Sequence, residues 1–110
     1  AELLVERVPG SHEIPCAINL MLNARPFSCM IGLGVVIKGA TSHHHLVAES
    51  AGNALQSLSA RHGVPVINGI IVTEDLVSAE ERITGALDRG SEFARAALEM
   101  AQLYEKWTKT

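Results

Sequence analysis

Along this 110-residue chain the apolar positions change period several times, and each change marks an element. Leu3 to Val8 reads as a short strand closed by Pro9-Gly10. From Glu13, the residues Ile14, Ala17, Ile18, Met21 and Leu22 recur at helical spacing, with Pro15 tolerable in a first turn and Arg25-Pro26 as the stop. Cys29 to Ile37 (CMIGLGVVI) is a nearly continuous apolar run, too short for a typical helix. It predicts a strand buried on both faces, as in a parallel sheet.

After three histidines, Val47, Ala51, Ala54, Leu55 and Leu58 predict a second helix that Gly63 terminates. Val64 to Ile67 and Ile70 to Val72 predict another buried strand, interrupted at Asn68-Gly69. Ser78-Ala79-Glu80-Glu81 has the pattern of a capping box and opens a short helix through Arg82. A last helix is predicted from about Ser91 to Lys106, with Ala94, Ala97, Leu98 and Ala101 on its packed face and Glu92 and Arg95 pointing elsewhere.

Strands that alternate with helices imply parallel pairing with right-handed crossovers. In such sheets ligands collect beyond the carboxyl ends of the strands. Three segments are predicted there: Pro9 to Glu13, Gly39 to His43, and either Asn68-Gly69 or the turn after Val72. Most of the unusual residues fall in these segments.

Composition narrows the picture. The length suits one domain with one core. With 47% hydrophobic residues but only Phe27, Phe93, Tyr104 and Trp107 as aromatics, that core must be built from aliphatics and alanine. A formal charge of −3 without a basic block speaks against nucleic acid as a partner. No apolar run approaches the roughly 18 residues of a membrane span, and no charged-then-apolar leader opens the chain. Cys16 and Cys29 have no zinc or redox spacing and read as reduced core residues, which fits a cytoplasmic protein.

His43, His44 and His45 could be metal ligands, solvated turn residues, or the setting for one working histidine. Successive helical residues point about 100° apart, so three in a row do not converge on one ion. The bland reading, solvated turn residues, is adopted for His44 and His45. His43 follows Gly39-Ala40-Thr41-Ser42, a small turn between a buried strand and a helix, where exposed N–H groups attract an anion such as phosphate. A histidine beside such an anion can carry protons near neutral pH. The plain readings remain for the others: Arg82 in a solvated polar helix, Glu13 as a helix-start acid, and His62 as a cation-friendly helix end.

VPGSHEIP (8–15), GVVIKGATSH (34–43), GVPVINGIIVTED (63–75), AEERITG (79–85) and DRGSEFARAALEMAQL (88–103) together resemble the 6,7-dimethyl-8-ribityllumazine synthase family. The resemblance runs in order from about Val5 to Leu103 and is specific in its combination of motifs. It implies a three-layer α/β/α sandwich with a parallel, flavodoxin-like sheet. It also implies an activity of riboflavin biosynthesis, condensation of 5-amino-6-ribitylaminouracil with 3,4-dihydroxy-2-butanone 4-phosphate, with loss of phosphate and water and without metal or organic cofactor. His43 falls on the family's catalytic histidine. Ala40, Thr41, Ser42 and Arg82 fall on its phosphate site. Ser11, His12, Glu13, Val35, Val36, Ile37, Asn68 and Arg89 fall on substrate-binding positions, Asn68 being supplied by a neighbouring subunit. A homopentamer or a multiple of it is therefore implied, with riboflavin synthase as a further partner.

The chain departs from the family at several points. His12 and Asn68 stand where aromatics are usual, and His44-His45 where Tyr-Asp often follow the catalytic histidine. The stretch between Arg82 and Arg89 is slightly short. The family's first strand and helix have no counterpart, and that strand would lie between Leu3–Val8 and Cys29–Ile37. The polypeptide is therefore expected to be longer. The rival reading is a binding or shell-forming homologue that has lost synthesis, and a third is a histidine-cluster metal module.

Overall fold

The computed structural model describes residues 2–38, 43–75 and 88–109. A 3-10 turn at Ser11–Glu13 leads into α1, Ile14–Ala24; β1, Met30–Ile37, follows, then α2, His43–His62, β2, Val66–Thr73, and α3, Arg89–Thr108. The predicted helix over Ser78 to Arg82 lies outside the described residues.

Each boundary has a local cause. Pro15 sits in the first turn of α1, where its missing N–H costs no ladder bond. Arg25 is extended (φ −163°, ψ 167°), as a residue before proline prefers, and the helix ends there. Gly63 adopts φ +66°, the left-handed conformation that closes a helix, and its N–H donates to the Ser59 carbonyl at 3.0 Å. Asp88 caps α3, accepting from the Ser91 N–H at 3.4 Å and from its hydroxyl at 2.8 Å.

β1 and β2 pair in parallel, from Met30 opposite Val66 to Ile37 opposite Thr73. The ladder is extended by Met30 N–H to the Pro65 carbonyl at 2.9 Å and by Lys38 N–H to the Thr73 carbonyl at 2.7 Å. The helices flank both faces. On one, Gly32 lies against α1 and α2: a Cβ there would stand 2.8 Å from Ile14 Cγ2 and 3.1 Å from Leu55 Cδ1. On the other, a Cβ at Gly69 would stand 2.8 Å from Leu33 Cδ2 and 3.2 Å from Phe93 Cδ2 of α3. Ile14, Ile18, Met30, Leu55, Leu58 and Val64 form the core between β1 and the first two helices.

Three expectations are corrected. Asn68-Gly69 does not interrupt β2; glycine keeps the strand low beneath Phe93, so the dipeptide that reads as a break is a packing position. Residues 2–8 form no strand; Leu3 and Val5 stay exposed and only Val8 packs on the core. Strand preference is realised through neighbours, and among the described residues no strand lies beside this segment. The inward face of α3 is Phe93 and Ala97, with Tyr104 against the core cluster, while Ala94 and Leu98 are exposed. Two overlapping stripes were available, and the one with the larger aromatic side chains removes more apolar area from water.

Cys16 is exposed and Cys29 half-buried, and both are free thiols. Burial pushes the Cys29 thiol above its ordinary range, partly offset by a hydrogen bond with the Met30 backbone. The folded state thus holds this proton more tightly than the unfolded chain does. That contribution to stability is full below the usual thiol range and is lost as pH rises through it. Alkylation of the native protein at pH 8 should therefore modify Cys16 about tenfold or more faster than Cys29, read by peptide mass mapping.

Candidate functional site

The carboxyl ends of β1 and β2 bring together three pieces of chain. His43 is the first residue of α2 and is exposed. Val35, Val36 and Ile37 close β1 opposite Ile71, Val72 and Thr73. The Ser11–Glu13 turn lies over Gly34, close enough that a Cβ on that glycine would collide with the Ser11 hydroxyl. Glycine is required there because the turn approaches the strand so closely. The turn also packs against α2 and presents His12 and Glu13 to solvent.

At these strand ends is a cavity of about 110 Å³ bounded by Lys38, His44, His45, Val72, Thr73 and Glu74. His44 is only 6% exposed, which corrects its reading as a solvated turn residue; His45 is exposed as expected. Helix α2 already includes residue 43, so its first turn orients these rings, and His44 falls on the side facing the sheet. His44 and His45 have ring centroids 4.0 Å apart at an interplanar angle of 43°. Lys38 Nζ lies 3.7 Å from Glu74 Oε1, an exposed pair contributing under about 1 kcal/mol. Among the described residues, no group of three His, Cys, Asp or Glu side chains is arranged to hold a metal ion.

The remaining site candidates are more scattered. Asn68 lies opposite Gly32 in mid-strand, five residues before the end of β2, or about 16 Å at strand rise. It is exposed, and its Oδ1 accepts from the Ile70 N–H at 3.0 Å, so it is not the unpaired buried amide that a strand break suggested. Arg89 opens α3. Its Nε stands 2.9 Å from Glu92 Oε2, an ion pair rather than an aligned hydrogen bond, and its guanidinium lies 5.2 Å from the Phe93 ring centroid. Ala40, Thr41, Ser42 and Arg82 lie outside the described residues.

Lys38, His44, Thr73 and Glu74 escaped the sequence reading. His44 was detectable in principle: it precedes Ala51, Leu55 and Leu58 by 7, 11 and 14 positions and so heads the inward stripe of α2. The larger cavity, about 310 Å³, is at the opposite end of the sheet between Val64-Pro65 and Met100, Leu103, Tyr104 and Trp107. It has no Asp, Glu, His, Lys or Arg in its lining, so volume alone points away from the acid–base chemistry.

Residues 1–105 match the family model described as 6,7-dimethyl-8-ribityllumazine synthase. Similar proteins of that name occur in a Polaromonas species (strain JS666), 38% identical over 100 residues, and in Xylella fastidiosa strain M12, 42% identical over 103 residues. The matches cover 91% and 93% of this chain but 63% and 67% of those proteins, so the chain spans about two thirds of their length.

Proposed function

Because this chain belongs to the 6,7-dimethyl-8-ribityllumazine synthase family, we propose that the protein condenses 5-amino-6-ribitylaminouracil with 3,4-dihydroxy-2-butanone 4-phosphate. The supporting observation is the position of His43. It starts the helix that follows β1, at the ligand-binding end of a parallel sheet, and that helix packs against the Ser11–Glu13 turn. In this reading His43 moves the protons of imine formation and of phosphate elimination. Ala40, Thr41, Ser42 and Arg82 hold the phosphate, for which an arginine fork is well shaped. Ser11, His12 and Glu13 take the ribityl chain and pyrimidine, the end of β1 flanks the ring, and Arg89 adds positive charge nearby.

The proposal extends to the assembly. Ile31, Leu33, Val35 and Ile37 form one row along a face of β1 and remain 37%, 65%, 38% and 45% exposed. Trp107 is 75% exposed. Such surface supports a polypeptide with further chain over β1 and active sites shared between subunits of a homopentamer. Riboflavin synthase is a further partner on the same reading, and the cytoplasm its place of action. No helix among the described residues is long and apolar enough to cross a membrane.

Purified full-length protein mixed with both substrates should generate the fluorescent lumazine. Tight ligand binding without product would instead identify a non-catalytic homologue. Arg82→Ala should raise KM for the phosphorylated substrate more than KM for the pyrimidine; the reverse order would remove Arg82 from the phosphate site. Analytical ultracentrifugation should give a pentamer or a multiple of it. Asn68 and His12, changed singly and together, should depart from additivity in pyrimidine affinity by about 0.5 kcal/mol or more if they meet across an interface. An active monomer would end the shared-site reading.

A further inference from the structure

His44 has no assigned part in the reaction, yet it is, like Thr73, a buried polar residue at this end of the fold. Its imidazole is 6% exposed and heads the inward stripe His44, Ala51, Leu55 and Leu58. Around it the strand ends are themselves braced. Thr73 is 4% exposed and donates its hydroxyl to the Asp75 carbonyl at 3.1 Å, while the Lys38 N–H is bonded to the Thr73 carbonyl at 2.7 Å. His45 covers the remaining side, with its ring 4.0 Å away.

Neighbouring residues on a helix diverge by about 100°. With His44 buried on the inward stripe of α2, the rotation of α2 about its axis at this turn is set, and with it the direction in which His43 leaves the helix. We infer that His44 is a positioning residue: its flat ring, buried beside the cavity it shares with Lys38, Val72, Thr73 and Glu74, holds the first turn of α2 so that His43 faces the substrates. This rests on the proposed role of His43. It assigns His44 a task of shape and seating, without proton transfer of its own.

The test uses the full-length protein with labelled histidines and compares wild type with His44→Ala and His44→Phe. Steady-state kinetics and a carbon-detected NMR titration of the His43 ring are recorded for each. His44→Ala should lower kcat about 10- to 100-fold, the scale of a misplacement near 1 Å, with KM for both substrates changed less than about threefold. It should also shift the His43 ring signals. His44→Phe, which refills the space with a ring that cannot titrate, should restore most of kcat and return the His43 signals toward wild type. Should His44→Ala fail to fold, His44→Leu keeps the apolar volume without the flat ring and is read in the same way. Wild-type kcat and unmoved His43 signals in the loss variant would overturn the inference. So would a phenylalanine variant as slow as the alanine one, because imidazole chemistry would then be at work. If wild type itself makes no product, the reaction proposal fails, while the His43 signals still decide whether His44 seats it.

Discussion

Replacing His43 with alanine should lower turnover by about 10- to 10⁴-fold, the span for loss of a positioned proton carrier or part of one. His43 opens α2 at the carboxyl end of the sheet and is exposed, and α2 packs against the turn proposed to hold the pyrimidine. Imine formation and phosphate elimination each require a proton to be moved, and an imidazole can both accept and donate near neutral pH. The loss should appear in kcat more than in KM, because the phosphate and ring contacts are assigned to other residues. An appreciable residual rate is expected, since holding two substrates together accelerates a condensation without any acid or base. His45→Ala, which alters an exposed ring, should lose much less. Equal losses at positions 43 and 45 would point to a shared structural or metal role and remove the assignment of His43.

Much of this arrangement is legible in the chain because it rests on local chemistry. Pro15 and Pro26 bracket α1, Gly63 ends α2, and the unbroken apolar run before Lys38 identifies a strand, although only one of its faces is covered by helices and Ile31, Leu33, Val35 and Ile37 on the other stay exposed, against the expected burial on both. Readings that depend on what lies beside a segment fared worse. Leu3 to Val8 has the composition of a strand, but a strand exists only with a ladder partner, and composition does not disclose one. Asn68-Gly69 looks like a turn until Phe93, 24 residues further on, is found above the glycine. His44 looks solvated among its neighbours because charge and polarity are local properties. Its burial is a matter of helical phase, fixed by Ala51, Leu55 and Leu58 two to four turns away. Residue types announced the kind of chemistry, whereas which histidine faces in and which faces out was decided by packing.

The same stripe carries the largest expected effect on stability. Leu55 has no exposed surface and lies in the middle of α2, with its Cδ1 3.1 Å from where a Cβ on Gly32 would stand. Ile14 and Ile18 of α1 complete the contact, so one side chain joins both helices to β1. Gly32 and Gly34 have no side chain with which to fill a gap, and among the described residues the cluster around Leu55 includes no aromatic beyond the partly buried Phe27 and Tyr104. A cavity opened at Leu55 should therefore stay open rather than collapse. Leu55→Ala is expected to destabilise the protein by about 2–5 kcal/mol, the upper part of that range being favoured by the rigid glycine floor. Against a total of roughly 5–15 kcal/mol, such a loss shifts the denaturant midpoint far enough to be unmistakable. Activity per folded molecule should fall too, but less than in His43→Ala, because α2 keeps its sequence at the turn proposed to carry the proton transfer. A loss below about 1 kcal/mol in chemical denaturation would mean that this packing of α1, α2 and β1 is not the core that positions His43.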